Sequence, residues 1–183
     1  LMAREGGIET LQPRINLSYG LFDNWKAKFS CGRFTQNIIT VNNEDDVISI
    51  FDAWIQVPEE LKAERSDHFV FGLEGNVLPS LSTNFQAYYK QYGSLVMYNR
   101  DKVDALDPDY IGGTGRAYGV EALIRYASEI VDIYAAYTVG WTSVTANGFT
   151  YYPRYDRRHN LNLLTVLHPG QGIQFWLKEG AMY

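Results

Sequence analysis

The chain is patterned in twos. From Tyr118 to Tyr126, one file of alternate positions holds Tyr118, Val120, Ala122, Ile124 and Tyr126; the other holds Gly119, Glu121 and Arg125, broken only by Leu123. Such alternation gives a β-strand two unlike faces. The pattern recurs along the chain. Arg14 to Phe22 carries Ile15, Leu17, Tyr19 and Leu21 on one face, and Lys26 to Phe34 carries Ala27, Phe29 and Cys31 against Lys28, Ser30 and Gly32. His68 to Glu74 sets Phe69, Phe71 and Leu73 against His68, Gly72 and Glu74, and Thr83 to Lys90 sets Phe85, Ala87 and Tyr89 against Asn84, Gln86, Tyr88 and Lys90. Val131 to Trp141 and Asn160 to Leu167 follow the same rule, and Ile173 to Tyr183 follows it until Glu179. About eight strands are predicted, with a helical pattern competing only around Glu59 to Glu64.

The connections alternate in length. Asp23 to Trp25, Val77 to Ser82, Ala127 to Glu129 and His168 to Gly172 are short and built from turn-forming residues. Thr35 to Ser66, Gly93 to Ala117 and Thr145 to Arg158 are long. Short turns at one end and long loops at the other describe an antiparallel up-and-down transmembrane β-barrel segment, all-β, with short periplasmic turns and long extracellular loops. The polar file decides which face looks inward. Arg14, Lys28, Glu74, Gln86, Lys90, Glu121, Arg125 and Asp132 are costly as a buried soluble core and well placed as the lining of a wide lumen. The apolar file is then left to face lipid.

Composition sharpens this picture. The 183 residues carry 14 Tyr, 9 Phe and 4 Trp, and rings near strand ends, such as Phe22, Trp25, Phe34, Tyr118, Tyr126 and Trp141, suit the headgroup level. A formal charge of −5 gives no basic footprint for nucleic acid. A mean hydropathy of −0.24, with no long apolar run, excludes a transmembrane helix but not a barrel. The single cysteine, Cys31, reads as a small wall residue. The chain opens on Leu1 rather than Met, so a piece of a longer protein, or a processed one, is expected.

Chemistry is sparse. His68, His159 and His168 are scattered near strand ends, and no nucleophile–base pair or metal-ligand spacing stands out, so no enzyme, metal or cofactor is expected. "GGTGR" at Gly112 to Arg116 lacks the lysine and the helix of a phosphate loop, and "NNEDD" at Asn42 to Asp46 reads as a solvated loop tip rather than a calcium loop. Ligand binding falls to the long loops, which hold Trp54, Tyr98, Arg100, Asp109, Tyr110, Tyr151, Tyr152 and Arg154; aromatics with arginine suit ring-bearing or anionic ligands.

Four phrases resemble the barrel domain of TonB-dependent outer-membrane receptors. These are "PRINLSYGLFDNWKAKFSCGRFTQ", "LKAERSDHFVFGLEG" (with Glu64 and Ser66 in place and Ala63 where the family usually has proline), "GTGRAYGVEALIRY" (with Gly119 and Glu121) and "YYPRYDRRHNLNLL" (with Pro153 and Asn160). The resemblance implies a bacterial outer-membrane barrel of about 22 strands, closed by a plug, that imports a scarce large nutrient such as an iron chelate, cobalamin or a glycan. It also implies outer-membrane lipid as surroundings, a transported small molecule, a TonB energy-transducing complex that engages regions outside this chain, and residues 1–183 as a partial barrel domain, a middle slice with signal peptide, plug and C-terminal strands outside it. Two other readings of the residues stay open: a complete eight-stranded outer-membrane barrel serving as anchor or adhesin, and a soluble lipocalin-like barrel. An outer-membrane hydrolase barrel is a more distant one.

Overall fold

The computed structural model describes residues 2–5, 8–41, 53–99, 101–170 and 173–182. Eight strands form one open antiparallel path. In chain order they are β3 (Arg14–Phe22), β4 (Trp25–Gln36), β7 (Glu64–Leu78), β8 (Leu81–Tyr98), β9 (Tyr110–Ala127), β10 (Val131–Ala146), β12 (His159–Gly170) and β13 (Ile173–Met182). Each predicted strand appears, and each pairs with its sequence neighbour on that path. A short β11 (Phe149–Tyr151) folds back on β10, and two separate hairpins, β1 (Met2–Glu5) with β2 (Ile8–Leu11) and β5 (Ile38–Val41) with β6 (Ala53–Gln56), complete the described strands. Edges β3 and β13 are not paired with each other among the described residues.

Turn chemistry accounts for the short end. Asn24 adopts φ 67° in the two-residue turn after Phe22, a left-handed conformation that asparagine tolerates. Pro79 and Ser80 link the paired Leu78 and Leu81. At the next turn the Val131 amide donates to Ser128 Oγ at 3.0 Å. At the opposite end, Asn147 (φ 48°) and Gly148 (φ 79°) make the tight Asn-Gly turn between β10 and β11.

The long connections are more structured than their sequences imply. The segment from Thr35 to Ser66 contains the β5–β6 hairpin, and β8 and β9 run on to Tyr98 and back from Tyr110, which shortens that loop to 99–109. The helix considered near Glu59 to Glu64 does not form: the Leu61 amide bonds the Pro58 carbonyl at 3.0 Å in a single turn, and Glu64 begins β7. Asn42 to Asp46 lie outside the described residues.

Register makes the two faces continuous across strands. One row joins Leu17, Phe29, Phe71, Ala87, Val120 and Val139, and a parallel row on the same face joins Tyr19, Ala27, Leu73, Phe85, Ala122, Tyr137 and Leu161. The opposite face carries Ser18, Lys28, Gly72, Gln86, Glu121, Thr138 and Asn160 in one row. The apolar face is bare: Leu17 is 61% exposed and Val120 54%. Among the described residues the buried apolar set is only Ile39, Val57, Ala117 and Val144, with no large side chain fully enclosed. A sheet so exposed has no core of its own and requires an apolar surrounding.

Candidate functional site

The charged face assembles as the alternation predicts. By register, Arg14, Lys28, Glu74, Gln86, Lys90, Glu121, Arg125 and Asp132 all lie on it. Most are engaged locally. Lys28 Nζ pairs with the Glu74 carboxylate, and Gln86 sits directly across from Glu121. The guanidinium of Arg14 covers the Phe34 ring at 4.4 Å, that of Arg125 approaches the Tyr134 ring at 5.2 Å, and Lys90 Nζ lies 5.2 Å from the Tyr88 ring. Asp132 Oδ2 is 3.4 Å from His168 Nε2. His68 packs between Phe34 (4.6 Å between centroids) and Tyr92 (6.3 Å), with its buried Nε2 making no hydrogen bond among the described residues.

This face also holds a close backbone approach. Tyr88 lies opposite Gly119, which lies opposite Gly140. The Tyr88 hydroxyl fills the space above both glycines: a Cβ on Gly140 would stand 2.6 Å from it, and one on Gly119 would stand 2.8 Å from it and collide with the Val139 carbonyl. Glycine is needed at both positions because the tyrosine occupies the volume that a side chain would take.

The residues expected to meet a ligand divide into separate groups at the long-loop end. Tyr98 and Tyr110 are paired across β8 and β9 with rings edge to face, 6.3 Å apart, on the face of the apolar file. Tyr151 lies on the charged face, where its hydroxyl reaches Met97 Sδ at 3.6 Å and it neighbours buried Val144. Tyr152 lies under the Arg158 guanidinium at 4.6 Å, and Arg154 shares its loop. That loop is tied down by Asp156, whose side chain is 6% exposed; it accepts from the Thr142 amide at 2.8 Å and pairs with Arg158 Nε at 2.8 Å. Trp54 projects from the β5–β6 hairpin, 70% exposed, and Arg100 lies outside the described residues.

Asp109 accepts from Lys102 Nζ at 2.7 Å, and between them Asp107 closes the turn at 99–109 by accepting the Val103 amide at 3.0 Å and the Asp104 amide at 2.9 Å. Those two amides hold the Asp107 carboxyl below the usual aspartate range. A carboxylate with a depressed folded pKa contributes stability above its unfolded pKa and loses it as pH falls through the folded value. We therefore expect protection of the Val103 and Asp104 amides from hydrogen exchange to survive mild acid and to disappear only below about pH 4, and to be weak at every pH in Asp107→Ala, which has no side-chain acceptor. Equal protection in the variant, measured by exchange mass spectrometry, would contradict this role.

Beyond the apolar band, the same file turns polar. Arg33 pairs with Asp67 (Nε to Oδ1 2.7 Å, Nη2 to Oδ2 3.2 Å), Asp67 lies across from Gln91, Gln91 from Arg116, and Arg116 from Ser143. The sequence signal missed here is a change of character within one file, from Tyr118 and Val120 to Arg116 and Thr114.

With this geometry in hand, the family follows. Residues 6–174 match the family model "TonB dependent receptor-like, beta-barrel", and the chain belongs to that family. Among solved structures it is similar to the ferric-catecholate import receptor Fiu of E. coli K12 in its closed form, with a TM-score of 0.62 and 15% identity over 90% of this chain and 23% of that one. The chain therefore spans about a quarter of that receptor's length, and at this identity the likeness establishes the fold alone. No curated protein matches it by sequence.

Proposed function

We propose that residues 1–183 form part of the wall of an outer-membrane receptor that imports a bulky, scarce nutrient, with its apolar file toward lipid and its charged file toward the lumen. The observation that carries this reading is the pairing of a bare, continuous apolar face with a continuous charged face on one sheet, in which the connections between successive strands of the eight-strand path are short at one end only. A soluble lipocalin-like barrel inverts these faces. A closed eight-stranded anchor requires β3 to pair with β13, and the path is open there.

The short turns then lie on the periplasmic side and the long loops outside. Tyr151, Tyr152, Arg154, Asp109 and Trp54, on or beside the long connections, are assigned to meet the ligand, and Arg100, outside the described residues, is assigned the same role from the sequence; Tyr98 and Tyr110 share the face of the apolar file. The charged wall gives a plug or a passing solute polar contacts, and energy enters through the TonB complex at regions outside this chain. The family's transport role fits the wall better than any chemistry does.

Single-cysteine labelling in the full-length receptor, in a Cys31→Ala background, tests the orientation. In intact outer membranes, Val120→Cys is expected to react with a bilayer-soluble maleimide and resist a charged one, and Glu121→Cys to do the reverse once the lumen is open to solvent. Reactivity of both positions with the charged reagent alone would remove the membrane reading.

A further inference from the structure

We propose that the outward face of β8, β9 and β10 carries a built site for one lipid, a phosphorylated, sugar-headed lipid of the outer leaflet, with its headgroup above the aromatic row and an acyl chain below it. This rests on the reading that the apolar file faces the membrane. Two hollows of opposite character open on this face. The upper one, about 490 Å³, is lined by Gln91, Thr114, Arg116, Ser143, Thr145 and Thr150. The lower one, about 300 Å³, is lined chiefly by Phe71, Leu73, Phe85, Ala87, Ala122 and Tyr137.

The upper hollow has the chemistry of a phosphate and sugar site. Arg116 Nε donates to Ser143 Oγ at 3.2 Å, which holds the planar guanidinium against the sheet. Arg65 stands at the rim beside Gly93, its Nη2 3.2 Å from where a Cβ on that glycine would be. Arg33 and Arg65 share one carboxylate, Asp67, which takes two bonds from Arg33 and lies 3.8 Å from Arg65, and Arg116 stands two strands further along the same row, across Gln91. The collar is thus positive on a chain of net negative charge, and guanidinium forks match phosphate oxygens. Thr145 and Thr150, joined at 2.8 Å through their hydroxyls, add donors and acceptors of the kind that sugar hydroxyls need.

The lower hollow exists because Ala87 and Ala122 fall on neighbouring strands, each beside an aromatic wall residue. Arg116, Tyr118, Val120 and Ala122 are successive members of one file, so the two hollows lie about 20 Å apart along the strand. Between them sit Tyr89 and Tyr118, the latter stacked on Trp141 at 5.4 Å. A polar hollow, an aromatic row and an apolar hollow in that order along a membrane-spanning strand select an amphiphile aligned with the bilayer. A peptide partner has no need of that order.

The test uses the full-length receptor in detergent, probed by native mass spectrometry with added lipid A (a bis-phosphorylated diglucosamine lipid) and, separately, phosphatidylglycerol. One lipid A is expected to be retained at collision energies that strip phosphatidylglycerol. Arg116→Glu and Ala122→Phe are each expected to cut retention about tenfold, while Leu17→Phe, on the same face but far along the sheet, leaves it unchanged. Ala87→Phe fills the same hollow from the next strand and serves if Ala122→Phe fails to insert. Equal retention of both lipids, or wild-type retention in Arg116→Glu and the filled variants, overturns the site; loss in Arg116→Glu alone overturns its two-part form. A receptor recovered from the membrane without retained lipid A sinks this proposal only, whereas a receptor recovered outside the membrane sinks the reading beneath it.

Discussion

Gly119→Ala is expected to stop this part of the wall from assembling, and Gly140→Ala to do so only while Tyr88 keeps its hydroxyl. The two glycines lie side by side under one ring, yet their neighbours differ. At Gly140 the nearest obstacle is the tip of a side chain, and removing it moves the closest ring atom out to Cζ at 3.8 Å. At Gly119 the obstacle is also the Val139 carbonyl, which belongs to the pairing of β9 with β10 and does not move without breaking it. Overpacking against backbone costs about 3 kcal/mol, against about 1–2 kcal/mol for crowding a hydroxyl. In the full-length receptor, heat-modifiable gel migration should therefore show Gly119→Ala largely unfolded both with and without Tyr88→Phe. Gly140→Ala should recover in the Tyr88→Phe background. Gly20→Ala, where a Cβ meets nothing within 4 Å, sets the tolerated baseline. Rescue of Gly119→Ala by Tyr88→Phe would show that the strands yield more readily than their pairing implies.

The second large effect is a charge on the wrong side. Val120→Lys places an ammonium in the interior of the apolar file and is expected to cost about 2–4 kcal/mol if that file lies near the bilayer midplane. Glu121→Lys, one residue away on the charged face, should change folding by less than about 1 kcal/mol, because lumen positions are solvated. Urea titration of the receptor refolded into vesicles measures both. Equal effects at the two positions would mean that the faces do not see different solvents.

The eight-strand path was legible because, within the lipid band, one face must be apolar and the other is free to be polar. Phe69, Phe71 and Leu73 against His68 and Glu74 announce a strand for that reason alone. The contrast fades where both faces meet water. Tyr110 to Ala117 holds Gly112, Gly113, Thr114, Gly115 and Arg116, and no periodicity marks it, yet it is the first part of β9. The Asn147-Gly148 turn was a legible hairpin signal inside a segment read as loop. The β5–β6 hairpin was harder: its anchoring rests on Ile39 and Val57 becoming buried, and on the Val57 amide reaching the Asn37 carbonyl at 2.8 Å, neither of which a pattern along the chain reveals. The charged wall was readable residue by residue. The paired hollows were not, since Ala87 and Ala122 become neighbours only through the register of β8 with β9.

The unequal strand lengths shape the rim. β3 has 9 residues and β4 has 12, whereas β8 and β9 have 18 each, so the sheet gains about 30 Å of strand between β3 and β9. The short turns between successive strands of the eight-strand path are at one end, so most of that gain is made at the other. Along the eight described strands the long-loop edge of the sheet is therefore stepped, lower at β3 and taller at β8 and β9, with the β5–β6 hairpin inserted between β4 and β7. In the receptor proposed above, such a step gives a bulky solute a tall side and a low side at the rim.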